Sequence, residues 1–256
     1  VRTPLFLLGL ILGLSAAPLA RADDLTASQI LDKSKRSGAL GLVNARADVK
    51  LVVDDGKGDV RERRLTASAI QQAGEVRRLV RFEEPADVRG VAFLVIEHDG
   101  QPADRLLYLP AQKRVRRVSG RQGSQSFENT DFAYADLDLA GGKADVLSRE
   151  PDADVEGQRC WVVSAVPADS PYGKVVTFVH QKTSVPLQVL FEDKDGHLLK
   201  RLKATRVKQV DGNWYAFESV METIARGSKT TLTITSLDSH AKLSPDDYTE
   251  QALERP

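Results

Sequence analysis

Polar and apolar residues alternate with a period of two along most of this chain, in short runs broken by turn residues. Residues 46–53 and 60–70 flank Asp54-Asp55-Gly56-Lys57-Gly58-Asp59, a turn of residue types that tolerate positive φ. Further runs occupy 75–82, 91–97 and 105–109, with breaks at Ala73-Gly74, His98-Asp99-Gly100 and Pro110. Six more cover 158–166, 174–180, 186–191, 197–210, 214–223 and 229–237, parted by Ser170-Pro171, Val185-Pro186, Asp193-Lys194-Asp195-Gly196, Asp211-Gly212-Asn213 and Arg226-Gly227. The pattern predicts a mainly β protein of about eleven strands in an antiparallel meander, because βαβ units would need helices between the strands. Helical spacing is confined to 26–36, where Ile30, Leu31 and Ser34 follow Thr26 or Ser28 as N-cap, and to 245–253 behind Ser244. A short helical turn is expected near 131–137.

Residues 119–142 break the alternation. They are rich in Gly, Ser, Gln and Asp, yet carry Phe127, Phe132, Tyr134 and Leu137, and a long aromatic loop is rarely a plain linker. Elsewhere the alternation gives each strand one wet and one dry face: Val76, Val80 and Phe82 share a face with Arg78, and Leu232 and Ile234 alternate with Thr233 and Thr235. A large sheet with a dry face must cover it, close into a barrel, or bind something apolar. A fully packed core and a partly filled apolar concavity both satisfy the pattern.

The chain begins with Arg2, an apolar run over 5–14 and Ala20-Arg21-Ala22, the three parts of a cleavable secretory signal peptide over residues 1–22. The run is shorter than the roughly 20 apolar residues that cross a bilayer. One domain over 23–256 is expected, exported and free in solution. Removing Arg2 and Arg21 from 36 basic residues leaves 34 against 36 acidic, a net −2. So balanced a chain has no field for capturing nucleic acid, which is excluded as a partner. The single cysteine, Cys160, forbids an internal disulfide and sits in an apolar run, as a buried thiol.

Motifs for chemistry are missing. The chain has no H-E-x-x-H, G-x-S-x-G or Walker loop, and Gly227-Ser228-Lys229-Thr230 enters a strand as a hairpin turn. Asp193-Lys194-Asp195-Gly196 opens like a calcium loop, but Ala204 stands where a bidentate Glu is needed. His98, His180, His197 and His240 show no metal-ligand spacing. Asp131 and Asp136 flank the aromatic loop without a nucleophile, which favours caps and turns over acid–base work. No enzyme, metal or cofactor is expected. The basic cluster Lys113-Arg114-Val115-Arg116-Arg117 fits either a solvated strand edge or a docking surface for anionic headgroups or an acidic partner.

Several stretches together resemble one family. Leu106-Leu107-Tyr108-Leu109-Pro110, Arg114-Val115-Arg116-Arg117-Val118, and Ser126-Phe127 followed by Asp131-Phe132, Tyr134 and Asp136-Leu137 resemble the LolA-like outer-membrane lipoprotein-sorting proteins. Arg89-Gly90-Val91-Ala92-Phe93-Leu94, Asp193-Lys194-Asp195-Gly196 and Leu253-Glu254-Arg255 extend the likeness across the chain, with Glu128-Asn129-Thr130 standing where the family has Met-Gly-Ser. The resemblance implies a LolA/LolB-like half-barrel of about eleven strands covered by two or three short helices. It implies a periplasmic, monomeric carrier whose apolar cavity holds a lipid or the acyl chains of a lipoprotein. Phe82, Phe93, Leu107, Leu109, Val163, Phe178, Phe191, Phe217 and Ile234 are the candidate lining. Phe127, Phe132 and Tyr134 form a plug or lid over the mouth, and Arg114, Arg116 and Arg117 contact a headgroup or partner. An inner-membrane RND-type transporter is the implied partner. The alternatives are an RseB-like lipid-sensing regulator and an accessory subunit of such a transporter.

Overall fold

A computed structural model describes residues 25–37, 41–72, 74–98, 103–118, 122–137, 144–167 and 170–255; the expected leader over 1–22 lies outside them. The described residues form thirteen strands: β1 Ala45–Asp54, β2 Val60–Gln72, β3 Glu75–Glu84, β4 Ala92–Glu97, β5 Asp104–Leu109, β6 Arg114–Arg117, β7 Ala144–Val155, β8 Gln158–Pro167, β9 Lys174–His180, β10 Pro186–Glu192, β11 Leu198–Val210, β12 Asn213–Thr223 and β13 Ser228–Asp238. They make one antiparallel sheet in the order β6-β5-β4-β3-β2-β1-β13-β12-β11-β10-β9-β8-β7. Eleven of the twelve neighbouring pairs are sequential hairpins; the twelfth is β1 on β13, and the chain accordingly passes from edge β6 to the opposite edge β7.

The expected half-barrel of about eleven strands is therefore corrected. The sheet is open, does not close into a barrel and is not strongly curled. The two strands that alternation did not reveal are its two edges. β6 has four residues, three of them arginine, and β7 carries Pro151, which only an edge strand tolerates well. Layering on both faces by the chain itself, rather than curling, removes the apolar surface from water.

One face is the main core. Following the pairing outward, Ala47, Ala67, Val80, Phe93, Leu107 and Arg116 lie in one row across β1 to β6. Val49, Leu51, Leu65, Phe82, Phe217, Met221, Leu232 and Ile234 extend this core over neighbouring strands. The opposite face of β2 to β6 buries Ile70, Ala92, Leu94 and Leu106 under Tyr248 and Leu253 of the C-terminal segment. The predicted helix over 245–253 is broken there: Ser244 caps a 3-10 turn, Pro245–Asp247, and Thr249 caps the short α2, Glu250–Leu253. Arg77 and Arg81 on β3 donate to the carbonyls of Tyr248, Ala252 and Leu253, tying the segment down. Helix α1, Ala27–Ser34, starts at Thr26 with a reciprocal capping box to Gln29 and packs Ile30 on Val163 and Val179. Cys160 is buried as expected, and loss of water contact pushes its thiol up to about 11.

The outer face also carries a polar cluster. His98 lies 2.9 Å from Glu75 and 3.2 Å from Asp104, and Arg77 and Arg117 complete the pairs. The hydrogen bond to Asp104, followed by that to Glu75, holds the His98 pKa above its usual 6.5. A raised folded-state pKa stabilises the fold fully below about pH 6.5 and loses that contribution as pH rises through the raised value. His98→Gln is expected to remove this part of the decline in unfolding midpoint between pH 6 and 8.5, measured by thermal melts across that range.

Candidate functional site

The connection from Arg117 to Ala144 leads from one edge strand of the sheet to the other. Its described part, 122–137, lies across the main core face.

Its head is a tight hairpin. Ser126 bridges Ala133, and the Phe127 amide donates to the Phe132 carbonyl at 2.8 Å. Glu128 and Asn129 both take positive φ at the tip, at 47° and 57°. Thr130 supports the bend by donating its hydroxyl to the Phe127 carbonyl at 2.7 Å. This geometry drives the aromatic rings into the sheet. Phe127 stacks 5.2 Å from Phe82 and 6.0 Å from Phe93, while Tyr134 lies 5.2 Å from Phe93 and 5.4 Å from Phe127.

Two carboxylates clasp the segment to strands far away in sequence. Asp131 accepts from the hydroxyls of Thr223 at 2.6 Å, Ser228 at 2.5 Å and Thr230 at 2.8 Å, and from Arg226 at 3.0 Å. Its own amide donates to Thr230 Oγ1 at 2.9 Å. Asp136 accepts from the Tyr172 hydroxyl at 2.6 Å, Lys200 Nζ at 3.0 Å and the Ala133 amide at 2.7 Å. Burial, then the Asp136 charge, pushes the Tyr172 pKa up, so the phenol stays a donor. Both acids are therefore fasteners: their lone pairs are taken by donors. The alternation of β13 held a signal for one clasp, since Ser228 and Thr230 share parity with the buried Leu232 and Ile234. Tyr172, Lys200, Thr223 and Arg226 carried no such signal.

Most candidate lining residues converge. Phe82, Phe93, Leu107, Phe127, Phe132, Tyr134, Phe191, Phe217 and Ile234 belong to the main core, with Leu109 packed against it. Val163 shares the face but lies in a separate cluster beneath α1. Phe178 occupies the opposite face with Cys160, Leu187 and Ala216. A pocket between sheet and segment, lined by Leu42, Ala67, Val80, Phe93, Val95 and Leu137, has a volume of about 10 Å³, room for one water at most. The three arginines part company: Arg114 and Arg116 share the parity of the core face, while Arg117 turns outward to Asp104. Asp193, Asp195 and His197 place ligand atoms within 4.8 Å of one another, but Asp193 already accepts the Asp195 and His197 amides of its turn.

A family model described only as an uncharacterized protein matches residues 74–255. No curated protein matches the chain. Among solved structures, a Vibrio parahaemolyticus domain named after outer membrane lipoprotein sorting is 28% identical, with a TM-score of 0.78 over 90% of this chain and 98% of that one. A DUF1329 family protein from Desulfovibrio piger gives a TM-score of 0.76 at 24% identity, over 89% and 97%. A LolA superfamily protein from Nitrosomonas europaea gives 0.68 at 19%, over 89% and 99%. These last two share the fold.

Proposed function

This chain belongs to the family matched over residues 74–255 and is a structural homologue of the LolA/LolB superfamily, and on that premise we propose that it is a periplasmic, non-catalytic carrier of lipid or lipoprotein acyl chains. The observation that carries the reading is the aromatic hairpin: an apolar sheet face is covered by a loop held through two polar clasps. A carrier needs an apolar surface that is dry when empty and available when loaded, and such a cover supplies both states.

The apolar magnitudes are comparable. Phe127, Phe132, Tyr134 and Leu137 bury about 1.5–3 kcal/mol each, so lifting the cover costs roughly 6–12 kcal/mol of apolar burial. An acyl chain of about sixteen carbons gains about 0.8 kcal/mol per CH₂, or roughly 12 kcal/mol. One chain therefore matches the apolar burial of the hairpin against Phe82, Phe93, Leu107 and Ile234, and contact with the donor has to release the Asp131 and Asp136 clasps. Monomeric traffic through the periplasm, with an RND-type transporter as donor, completes the reading; Arg114 and Arg117, exposed on edge strand β6, are its contacts.

The test is lipid extraction and native mass spectrometry of the full chain purified from the periplasm, followed by transfer of a pyrene-labelled phospholipid between vesicles. Bound lipid and protein-dependent transfer are expected. Protein that holds no lipid and transfers none overturns the reading.

A further inference from the structure

Among the described residues, Arg63 on the main core face has no counter-charge in hydrogen-bond or ion-pair contact. It is 4% exposed, and its Nε and Nη1 are buried with no acceptor. It shares the parity of Leu65 and Ala67 on β2, and its guanidinium lies 6.0 Å over the Phe82 ring. An arginine removed from water without a hydrogen-bonded counter-charge is costly, and such a group persists where an anion is meant to meet it. On the same face Arg78 shows the contrast, since it is paired with Glu97.

A second guanidinium faces the same hairpin. Arg116 ends the row that contains Phe93 and Leu107, with its Nε buried and lacking an acceptor. The hairpin residues Glu128 and Tyr134 link the two arginines. Glu128 accepts from the Tyr134 hydroxyl at 3.3 Å; its charge acts on Arg63, as does that of Asp87, while Arg116 acts on Tyr134. Lifting the hairpin withdraws Glu128 and Tyr134 together. Two guanidiniums then border the apolar face on which the acyl chain lies.

We propose that Arg63 and Arg116 form the receptor for the phosphate head of an acyl-chain ligand, and that Glu128 holds the place of that anion in the unloaded protein. The proposal rests on the carrier reading and adds the ligand class: an anionic phospholipid rather than a neutral one. Two planar forks on one oxyanion suit phosphate, which offers more acceptor oxygens than the single Glu128 carboxylate. Glu128 also gives the hairpin a reason to return when the ligand leaves.

Capture of pyrene-labelled phosphatidic acid and of diacylglycerol with the same chains, presented in neutral vesicles to the full chain, tests this. At least a tenfold preference for phosphatidic acid is expected. Arg63→Gln should reduce it to near unity while diacylglycerol capture stays the same, and Arg63→Lys should keep part of it. Glu128→Gln should raise phosphatidic acid affinity several-fold without changing diacylglycerol; this variant carries the test should Arg63→Gln not fold. Equal capture of both lipids, or a preference untouched by both Arg63→Gln and Glu128→Gln, overturns the anion receptor and leaves the carrier standing. Capture of neither lipid overturns both. Binding of inorganic phosphate alone, without lipid, overturns the acyl-ligand assignment.

Discussion

Asp131→Ala is expected to lower the unfolding free energy by about 3–5 kcal/mol, the range for breaking a buried, fully bonded charge. The substitution strips the acceptor from three hydroxyls and one guanidinium at once. Thr230 and Ser228 are buried, so their hydroxyls have no water to turn to, and each buried donor left unmet costs about 1–3 kcal/mol. At about 2–4 °C per kcal/mol for a chain of this size, the midpoint should fall by roughly 6–20 °C. Asp131→Asn keeps one acceptor oxygen, for the Thr223 and Ser228 hydroxyls, but puts an NH2 where the Thr230 hydroxyl donates and removes the charge opposite Arg226, which is 55% exposed, so about half the effect is expected. Amide exchange should accelerate first in 126–134, ahead of β12 and β13, because the clasp joins the hairpin to a hairpin of the sheet itself. A shift under 1 kcal/mol for Asp131→Ala would show that the segment is held by its aromatic rings alone.

The clasp also explains why the hairpin is placed so definitely although its sequence is loop-like. Apolar contacts are non-directional, and Phe127 alone would accept several positions on a face this wide. Four directional donors around one carboxylate select one of them. Asp136 repeats the device nearer the β11 side, through Tyr172 and Lys200.

Eleven strands were legible because their turns are built from Gly, Asn, Asp and Pro and their faces alternate cleanly. The two edges were not, since an edge strand is selected against looking like a strand: arginines in β6 and Pro151 in β7 deter pairing with other chains. Curvature was not legible either. It depends on how the sheet is covered, and the cover is a segment without periodicity. The α1 start was legible to within Thr26 or Ser28, and the capping box with Gln29 selects Thr26, whereas the break between Pro245–Asp247 and α2 depends on Tyr248 turning into the outer face. Within the site the faces were not legible, because register decides them: Phe178 pairs with Val162 and so lies on the face opposite Val163. In β10 the pairing with β9 slips between Pro186 and Gln188, which leaves Leu187 on the outer face with Phe178 although Val189 and Phe191 face the main core. Arg63 was missed because its neighbours Arg61, Glu62 and Arg64 make it look like part of a solvated charge run.

Phe127→Ala should act on stability and on cargo in opposite directions. Phe127 is 2% exposed and touches Phe82, Phe93 and Tyr134, so its removal is expected to cost about 3–5 kcal/mol, or roughly 6–20 °C in midpoint. If the hairpin competes with an acyl chain for the same face, the energy lost by the covered state is gained by the loaded one. Affinity for a pyrene-labelled phospholipid should then rise by at least tenfold, since the full 3–5 kcal/mol corresponds to a hundredfold or more and part of it goes to local repacking. Phe178→Ala provides the contrast. Its ring is half-buried on the opposite face, so it should cost less stability and leave lipid affinity unchanged. Were the two variants to raise lipid affinity alike, the gain would reflect general loosening rather than competition. Were Phe127→Ala to lose stability with no gain in affinity, the hairpin would be a permanent layer of the core, and cargo would have to bind elsewhere on the sheet.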